Sequence, residues 1–317
     1  MTAPRVSVVI TTSNARSVVG ACLESLLADL RSAGVLHEVI VVDDASADGT
    51  ADFIAETFPE IKLVRAPVAM GYAGANNAGI RLTTGDAVFL LNADTIVHPG
   101  AVPTLLAALD RYPDGAAVGP TLLNPDGTIQ RSCWRFPLRT LIGNTLWLFR
   151  TGVWDDYRAW DHHADRNVDW ISSAALMVRQ AAFPTVGLLD ERFWVYGVDI
   201  DWGLRARRAG YQIVSIADAR IVHLGGRSWG NATDRQYEDH MRSQALLFRL
   251  HYGRAGLILF HTTVLLNSLA RVLVWGLPSL LGLETARRKT GEFLRLLRWS
   301  VTGRAGTIPP AERKLSP

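Results

Sequence analysis

The stretch AVFLLNADT, residues 87–95, decides the fold class of this 317-residue chain. Its apolar start is typical of a buried strand, and the polar turn NADT closes it at 92–95. A second apolar run, VIVVDD at 39–44, also ends in carboxylates. Because parallel strands bring their carboxyl ends to one edge, where open α/β sheets bind ligands, we expect these acids to lie close together. The pattern predicts a site for a metal-bound, phosphate-bearing ligand.

Strand and helix patterns alternate around this stretch through residue 120. The glycine-rich GYAGANNAGIRLTTG at 71–85 predicts a helix that starts at Gly71 and stops at Gly85. Near residues 115–127 the pattern becomes that of a hairpin. Residues 168–216 predict, in order, a strand, a helix, a turn, a helix and a strand. The other predicted segments are strands 5–10, 37–44 and 61–67 and helices 17–34, 47–59 and 100–113. Alternation at these lengths predicts an α/β fold with a mostly parallel, doubly wound sheet.

The composition is that of a globular chain. Hydrophobic residues make up 48% of it, enough for the core of one large domain or two smaller ones. The first thirty residues hold VSVVI and TTSN rather than a basic start, an apolar run and a cleavage site, so no secretory signal is expected. The two cysteines, Cys22 and Cys133, are too few for a disulfide framework and indicate a reduced compartment.

The basic character of the chain lies at its C-terminus. Residues 1–250 hold 23 Lys and Arg against 27 Asp and Glu, whereas residues 251–317 hold 10 against 3. Because the basic residues border apolar runs instead of forming a polar, aromatic-interleaved patch, no nucleic-acid partner is expected. The charge favours an anionic membrane surface as the partner.

Two uncharged stretches, 255–270 and 272–283, precede a basic segment at 287–298. Each stretch is shorter than the roughly 20 residues that a spanning helix needs, and we expect Gly276 and Pro278 to interrupt the second. The pattern favours a helix in the membrane interface or a shallow helical hairpin. The alternative is a pair of helices packed on the rest of the protein.

Several segments, taken in order, resemble family-2 glycosyltransferases of the GT-A fold, and in particular bacterial rhamnosyltransferase-like enzymes of cell-wall and surface-polysaccharide assembly. They are VSVVITTSN, VIVVDDASADGT, GYAGANNAGI, FLLNADT, the run from Trp170 to Tyr211, and IVHLGGRS. The resemblance covers about residues 5–230. It implies a nucleotide-sugar-binding half at 1–125, an acceptor-binding and catalytic half of the same domain at 126–250, and a membrane-proximal helical region at 251–317.

The resemblance implies a set of donor-binding residues. Asp44 matches the family's acceptor of the base's ring N–H, which suits an acceptor-only carboxylate, and Thr11 lies on the neighbouring loop. Gly71, Tyr72 and Asn76 match the segment that runs beside the donor. From the residues alone, the two acids of VVDD could instead cap the next helix, and the glycine-rich piece could be an ordinary helix start.

The resemblance also implies a metal site for Mg²⁺ or Mn²⁺. Asp94 matches the last aspartate of the family's DXD-type motif, which bridges the metal to the donor diphosphate. Asn92 occupies the first motif position, where a carboxylate is often found, and is expected to act through hydrogen bonds or water. His223 matches a histidine that completes the metal shell in some relatives; an isolated histidine is otherwise commonly a structural residue.

Asp199 matches the general base of the family's Glu-Asp motif, although Val198 stands where the family has Glu. Asp201 is expected to position the base or bind acceptor, and helix capping is the alternative for either aspartate. Tryptophan suits stacking on a sugar ring as well as core packing, and Trp170 and Trp194 are the candidates for acceptor binding.

These features predict a metal-dependent inverting glycosyltransferase. Its donor is a nucleotide sugar, dTDP-rhamnose or a UDP-hexose, and its acceptor a polyprenyl-linked glycolipid or polysaccharide, at the cytoplasmic face of the bacterial inner membrane. A sugar-phosphate nucleotidyltransferase would need a Gly- and Lys-bearing loop after the first strand, where TTSNARS has neither. A degenerate sugar-binding membrane adaptor is the non-enzyme alternative, suggested by Val198 and Asn92. The sequence leaves a homo-oligomer open.

Overall fold

A computed structural model of the chain describes residues 5–136, 138, 160–225 and 233–302. The described residues divide into two compact units, of which the second is helical and begins, after Phe136 and Leu138, at Asp234. The sequence placed its last boundary later, at residue 251. The division between 1–125 and 126–250 stays a prediction.

The first unit alternates strands and helices. Its strands are β1 Val6–Thr12, β2 His37–Asp43, β3 Lys62–Arg65, β4 Ala87–Asn92, β5 Thr95–Val97, β6 Gly115–Leu123, β7 Ile129–Gln130, β8 Cys133–Trp134, β9 Arg166–Asn167, β10 Trp170–Ile171, β11 Ala175–Arg179 and β12 Gln212–His223. Its helices are α1 Val19–Ser32, α2 Thr50–Thr57, α3 Gly71–Ile80, α4 Ala101–Arg111, α5 Phe183–Val186 and α6 Val198–Arg208. The predicted α/β class is confirmed.

Ten strands of the described residues form one sheet, in the order β3-β2-β1-β4-β11-β6-β12-β5, with β7 beside β6 and β9 beside β12. β1, β2, β3 and β4 are mutually parallel, as the alternation predicted. The side chains of β1, β2 and β4 are mostly buried on both faces, which explains why these three strands are nearly continuous apolar runs. β8 and β10 form a separate two-stranded ribbon.

β11 is the strand that makes the sheet mixed. It lies between β4 and β6 and runs antiparallel to both. The run SAALMV around it was expected to become helical after a short strand, but its residues are buried on both faces in mid-sheet. The helical part that follows is short, a single 3₁₀ turn and α5.

The core lies between the sheet and the helices α1 and α4. Both helices present their apolar positions to it, including Leu23, Leu26 and Leu105. The carboxylate of Asp29 in α1, 3% exposed, accepts hydrogen bonds from the backbone N–H groups of Gly100 and Val102. These N–H groups lie at the start of α4, so Asp29 caps α4 from the neighbouring helix.

Helix α3 is shorter than its sequence predicts. It ends at Ile80, and residues 81–86 form the turn into β4. Gly85 does not stop the helix: its N–H donates to Ser7 Oγ at 2.9 Å, and a Cβ there would lie 2.8 Å from the Ser7 backbone nitrogen. Glycine is required at 85 because the chain passes close against β1.

The second unit contains two long helices. α7 runs Thr233–Leu280 with a break at Gly253, and α8 runs Glu284–Thr302. The predicted interruption at Gly276 and Pro278 is wrong, since the helix continues to Leu280. A proline inside a helix removes one backbone hydrogen bond, but here the helix continues through its last turn.

Ring and cation contacts pair α7 with α8. Lys289 Nζ lies 4.1 Å from the centre of the Trp275 ring, and the Arg271 guanidinium lies 5.0 Å from that of Phe293. His261 stacks on Trp299 with 5.0 Å between ring centres. Because earlier residues of α7 meet later residues of α8, the two helices form an antiparallel hairpin.

One helix of the described residues, Asp239–Gly276 within α7, is long and apolar enough by length and composition to cross a bilayer. Its most apolar window has a mean hydropathy of 1.7 and is 11% buried. The two uncharged stretches of the sequence are thus joined in one helix across Arg271.

Candidate active site

The NADT turn brings a carboxylate and an imidazole together. β5, which follows the turn, pairs antiparallel with the end of β12, so that Thr95 lies opposite His223. This pairing places His223 Nε2 3.4 Å from Asp94 Oδ1. Asp94 is 2% exposed. A carboxylate oxygen and an imidazole nitrogen are a donor set that a divalent transition-metal ion accepts.

Within the described residues, His, Cys, Asp and Glu form no group of three or more that could hold a metal ion. A cation at Asp94 and His223 would therefore take its other ligands from water or from a bound molecule. The two residues that the family resemblance named as metal ligands are adjacent in the structure. Their role as ligands stays a prediction.

Several of the predicted donor-binding residues line one pocket beside this pair. The lining residues are Thr11, Thr12, Ser13, Asp44, Tyr72, Ala75, Asn92, Ala93 and Asp94. They come from the carboxyl ends of β1, β2 and β4 and from α3, as expected for a ligand site in an open α/β sheet.

Asp44 fixes the start of α3. Its carboxylate accepts hydrogen bonds from the backbone N–H groups of Met70, at 2.6 Å, and Gly71, at 3.0 Å. Burial raises the pKa of Asp44, the charge of Asp43 adds to the rise, and the two N–H donors oppose it. Neither acid of VVDD caps α2, because Asp48 accepts the N–H of Thr50 there.

Two loops at the carboxyl edge are tied to each other. The N–H of Asn14 donates to Ser46 Oγ, and Asn14 Oδ1 accepts from the N–H of Ala47, both at 2.9 Å. Asn14 and Ala45 have φ values of 51° and 57°, a region that costs a non-glycine residue free energy. These hydrogen bonds stabilise both loops in this conformation at the end of β1 and β2.

Gly71 lets Trp194 pack against the start of α3. A Cβ at Gly71 would lie 2.4 Å from Trp194 Cε3, and φ at this glycine is +75°. The carbonyl of Trp194 accepts the N–H of Tyr72 at 2.8 Å. Trp194 is 8% exposed, so here it is a packing partner of α3; acceptor contact for it stays a prediction.

Tyr72 lines the pocket with Asp94 and shares Ser173 as a hydrogen-bond partner with Asp199. Its hydroxyl donates to the carbonyl of Ser173 at 2.7 Å. Burial raises its pKa, and the charges of Asp199 and Asp94 raise it further, so both carboxylates are within electrostatic range of this phenol. Asn76 is 1% exposed, and its amide donates to the Tyr72 carbonyl at 2.8 Å within the helix.

Asp199 lies in the first turn of α6. Its Oδ1 accepts the N–H of Ile200 at 2.9 Å, and its Oδ2 accepts that of Ser173 at 3.4 Å. Burial raises the pKa of Asp199 to about 6, although these N–H donors oppose the rise. A carboxylate that titrates near neutral pH can take a proton from a substrate hydroxyl.

Two residues near Asp199 in the first turn of α6, Val198 and Asp201, are buried. Val198 is 1% exposed. Asp201, 2% exposed, forms an ion pair with Arg205 at 2.8 Å, and Arg205 also donates to the carbonyls of Val186 and Leu188. Asp201 thus fixes α6 to the preceding segment, while a direct role in catalysis stays a prediction.

Two aromatic rings lie close to this region in the chain. Trp170 of β10 stacks on Trp134 of β8 with 4.5 Å between ring centres, and its Nε1 donates to the carbonyl of Arg135. Trp170 is half-buried. It is followed directly by the segment that contains Ser173, which contacts both Tyr72 and Asp199.

The model of the glycosyl transferase family 2 matches residues 7–157. The chain is 30% identical over 244 residues to N-acetylglucosaminyl-diphospho-decaprenol L-rhamnosyltransferase of Mycobacterium tuberculosis (strain H37Rv), covering 71% of this chain and 78% of that protein. The chain belongs to glycosyl transferase family 2. The family resemblance and the assignment as an enzyme of the glycosyltransferase class are confirmed, which leaves the nucleotidyltransferase and adaptor alternatives without support.

Other relatives of this family-2 glycosyltransferase are more distant. The O-antigen biosynthesis protein RfbC of Myxococcus xanthus is 28% identical over 69% of this chain and 17% of its own length. The mannosyltransferase PcManGT from Pyrobaculum calidifontis, solved with GDP-Man and Mn²⁺, matches 95% of this chain and 87% of its own with a TM-score of 0.57 and 18% identity. GalNAc-T7, solved with UDP, GalNAc and Mn²⁺, matches 77% and 48% with a TM-score of 0.55 and 15% identity. The GT-A fold is confirmed.

Residues outside the predicted set also belong to the site. Ser173 contributes only backbone atoms, which no side-chain motif reveals. Gln130 contacts His223 through Oε1, 2.6 Å from Nδ1. The sequence signals a hairpin near Gln130, but the contact joins residues 93 positions apart, and no local pattern predicts it.

We expect Gly71→Ala to destabilise the first unit more than Gly100→Ala. Both glycines have positive φ, +75° and +84°, so both substitutions incur the left-handed backbone strain of roughly 1–2 kcal/mol. A Cβ at Gly100 meets nothing within 4 Å, whereas at Gly71 it meets Trp194, which adds roughly 1–3 kcal/mol of overpacking. Urea unfolding of both variants measures the difference; equal losses would mean that Trp194 moves aside freely.

Proposed function

We propose that this family-2 glycosyltransferase moves a sugar from a nucleotide-sugar donor to a polyprenyl-linked glycolipid in cell-envelope glycan assembly, with inversion. The observation that carries the proposal is that Tyr72 is linked to two acidic groups. It lines the pocket with Asp94, which lies 3.4 Å from His223, and it shares Ser173 as a hydrogen-bond partner with Asp199. The similarity to a mycobacterial L-rhamnosyltransferase and to an O-antigen biosynthesis protein of Myxococcus supports the class of pathway.

The donor would bind at the carboxyl edge of β1, β2 and β4, where Thr11, Asp44 and Asn92 line the pocket. The raised pKa of Asp44 fits a carboxylate enclosed beside a bound base. dTDP-rhamnose is the first candidate because the mycobacterial relative is named an L-rhamnosyltransferase, and UDP-hexoses are the second.

Asp94 and His223 would hold the divalent cation. When bound, Mn²⁺ or Mg²⁺ supplies charge stabilisation to the leaving diphosphate. The donor set favours Mn²⁺, since imidazole nitrogen suits transition metals whereas Mg²⁺ prefers oxygen ligands. Both solved neighbours named above contain Mn²⁺.

Asp199 would be the general base. In an inverting displacement the acceptor hydroxyl attacks the anomeric carbon, the bond to the diphosphate breaks, and the hydroxyl proton passes to a carboxylate. A pKa near 6 leaves Asp199 ionised at neutral pH and basic enough to take that proton. The buried Val198 leaves Asp199 without the neighbouring acid that the family motif carries.

The α7–α8 hairpin would dock on an anionic membrane surface, where the lipid-linked acceptor lies. Leucines at the turn between the helices are exposed: Leu280 at 84%, Leu281 at 78% and Leu283 at 59%. Arg287, Arg295 and Arg298 of α8 are exposed as well. Apolar side chains beside exposed cations suit the headgroup and acyl boundary of an anionic leaflet. Since nucleotide sugars are cytosolic, the face would be the cytoplasmic one.

Asp199→Asn should lower transfer by about 10²-fold or more while donor affinity stays near that of the wild type, because the amide cannot accept the proton. In the wild type, kcat/KM should rise with pH through about 6 and level off above it, since the base must be ionised. Steady-state kinetics across pH 4.5–8.5 test both. Asp218→Asn, at an exposed position of β12, is the control and should leave the profile unchanged. A profile that lacks the limb near 6 would remove Asp199 as the base.

Asp94→Asn should abolish the tightening of dTDP or UDP binding by Mn²⁺, because the amide loses the charge that attracts the ion. We expect the affinity for Mn²⁺ to fall beyond the roughly 10–100-fold typical of losing an outer-shell partner. Calorimetry with and without MnCl₂ measures this. Unchanged Mn²⁺ affinity would place the metal elsewhere.

Two variants separate the contributions to membrane binding. Arg295→Glu with Arg298→Glu should release much of the protein from vesicles of phosphatidylcholine and phosphatidylglycerol, since each basic residue contributes about 1 kcal/mol near an anionic surface. Leu281→Ser with Leu283→Ser should weaken binding that persists in high salt, because screening acts on charge and not on apolar insertion. Vesicle co-sedimentation at low and high salt measures both.

Arg207→Glu with Arg220→Glu, which makes the same charge change on the first unit, is the control and should bind like the wild type. A wild-type protein that stays monodisperse without detergent and does not bind these vesicles would contradict membrane docking and favour helices packed on the protein itself.

A further inference from the structure

Gln130 contacts the candidate metal ligand His223 from the side opposite Asp94. β7, which contains Gln130, pairs with β6, and β6 pairs in turn with β12, so the hairpin 122–130 brings Gln130 beside the last residue of β12. Gln130 Oε1 lies 2.6 Å from His223 Nδ1. His223 Nε2 faces Asp94.

The orientation of the Gln130 amide is determined by its other contacts. Its Nε2 donates to Asn124 Oδ1 and to the backbone carbonyl of His223, both at 3.0 Å. A backbone carbonyl only accepts hydrogen bonds. With the amide reversed, Oε1 would face this carbonyl, and both hydrogen bonds that Nε2 donates would be lost. The amide nitrogen therefore points to the two oxygens, and Oε1 points to the imidazole.

This orientation selects one tautomer of the histidine. An amide oxygen only accepts, so the nitrogen that faces it, Nδ1 of His223, must carry a hydrogen. In the neutral imidazole the lone pair is then on Nε2, the nitrogen that faces Asp94. A metal ion needs that lone pair, and outer-shell acceptors commonly prepare metal-binding histidines in this way.

The Asn124 side of the contact is fixed as well. Asn124 Nδ2 donates to Thr128 Oγ1 at 2.9 Å, and the N–H of Asn124 donates to the Thr128 carbonyl at 2.8 Å. These bonds close the turn between β6 and β7. The turn therefore holds Asn124 Oδ1 in place to receive Gln130, and the position of Gln130 does not depend on a bound ligand.

We infer that Gln130 is a positioning residue for the cation: it holds the His223 ring with Nδ1 protonated and Nε2 free to bind metal beside Asp94. The inference rests on the proposed metal site at Asp94 and His223. It assigns a task to a residue outside the set that lines the candidate donor pocket.

Two substitutions at Gln130 in the full-length protein test the inference. Gln130→Leu is similar in size and removes the acceptor, so the affinity for Mn²⁺ should fall by roughly 10–100-fold, as for other outer-shell losses. Gln130→Glu retains an acceptor-only oxygen for Nδ1–H but loses the two bonds that Nε2 donates to Asn124 and to the His223 carbonyl, so its affinity should lie between those of Gln130→Leu and the wild type. Titration with MnCl₂ alone, followed by electron paramagnetic resonance of free Mn²⁺, measures affinity without any turnover.

A second measurement is made on the metal-free protein. Nitrogen-15 NMR of the His223 ring at a pH where it is neutral should find the hydrogen on Nδ1 in the wild type and in Gln130→Glu, and a mixture of tautomers in Gln130→Leu. Gln180→Leu, which changes a glutamine at the opposite edge of the sheet, is the control and should alter neither result.

The outcomes separate the inference from the proposal on which it rests. If Asp94→Asn removes Mn²⁺ binding while Gln130→Leu keeps both wild-type affinity and the Nδ1–H tautomer, Gln130 has no positioning role and the metal site stands. If neither substitution changes Mn²⁺ binding, the metal site itself is refuted. Equal losses of Mn²⁺ affinity in Gln130→Leu and Gln130→Glu, with the tautomer unchanged, would reduce Gln130 to a structural residue.

Discussion

The antiparallel pairing of β11 with β4 is the contact on which the candidate site depends. It brings the backbone of residues 172–174 against the end of β4, where the carbonyl of Ala174 accepts the N–H of Asn92 at 2.9 Å. The preceding residue, Ser173, accepts a hydrogen bond from the Tyr72 hydroxyl through its carbonyl and donates its N–H to Asp199. One short piece of backbone therefore connects the NADT turn, α3 and the candidate base.

The buried aspartates of the first unit differ in the groups that surround them. Asp201 forms an ion pair with Arg205 within α6, and Asp29 accepts hydrogen bonds from N–H groups at the start of α4; both contacts stabilise the fold. For Asp199 the hydrogen bonds from backbone N–H groups do not offset the effect of burial, and its pKa rises to about 6. Asp94 faces an imidazole across 3.4 Å. The same side chain thus differs in its electrostatic surroundings from one position of the unit to the next.

The hairpin of α7 and α8 is stabilised by different contacts from those of the α/β unit. Its aromatic and cationic side chains pair between the two helices, while the leucines at its turn are left exposed. This exposed apolar turn beside exposed arginines is the observation on which the proposed docking to an anionic membrane rests.

The sequence alone determined the α/β class, the parallel direction of β1 to β4 and the elements on which Asp44, Asp94 and Asp199 lie, because these depend on local apolar periodicity and on motifs with short spacing. It misjudged the end of α3 and the nature of β11. Glycine is required at 85 because the backbone of β1 lies close to it, and it does not end the helix. An apolar run that is buried on both faces of a sheet carries no alternation to distinguish it from a helix.

Only the tertiary structure decided which residues meet. His223 reaches Asp94 because β12 pairs with β5, and Gln130 reaches His223 because a hairpin lies beside β12. These are contacts between residues about 90 to 130 positions apart, set by strand order and register. A one-residue change of register would turn each of these side chains to the other face of the sheet, and no local sequence pattern encodes that choice.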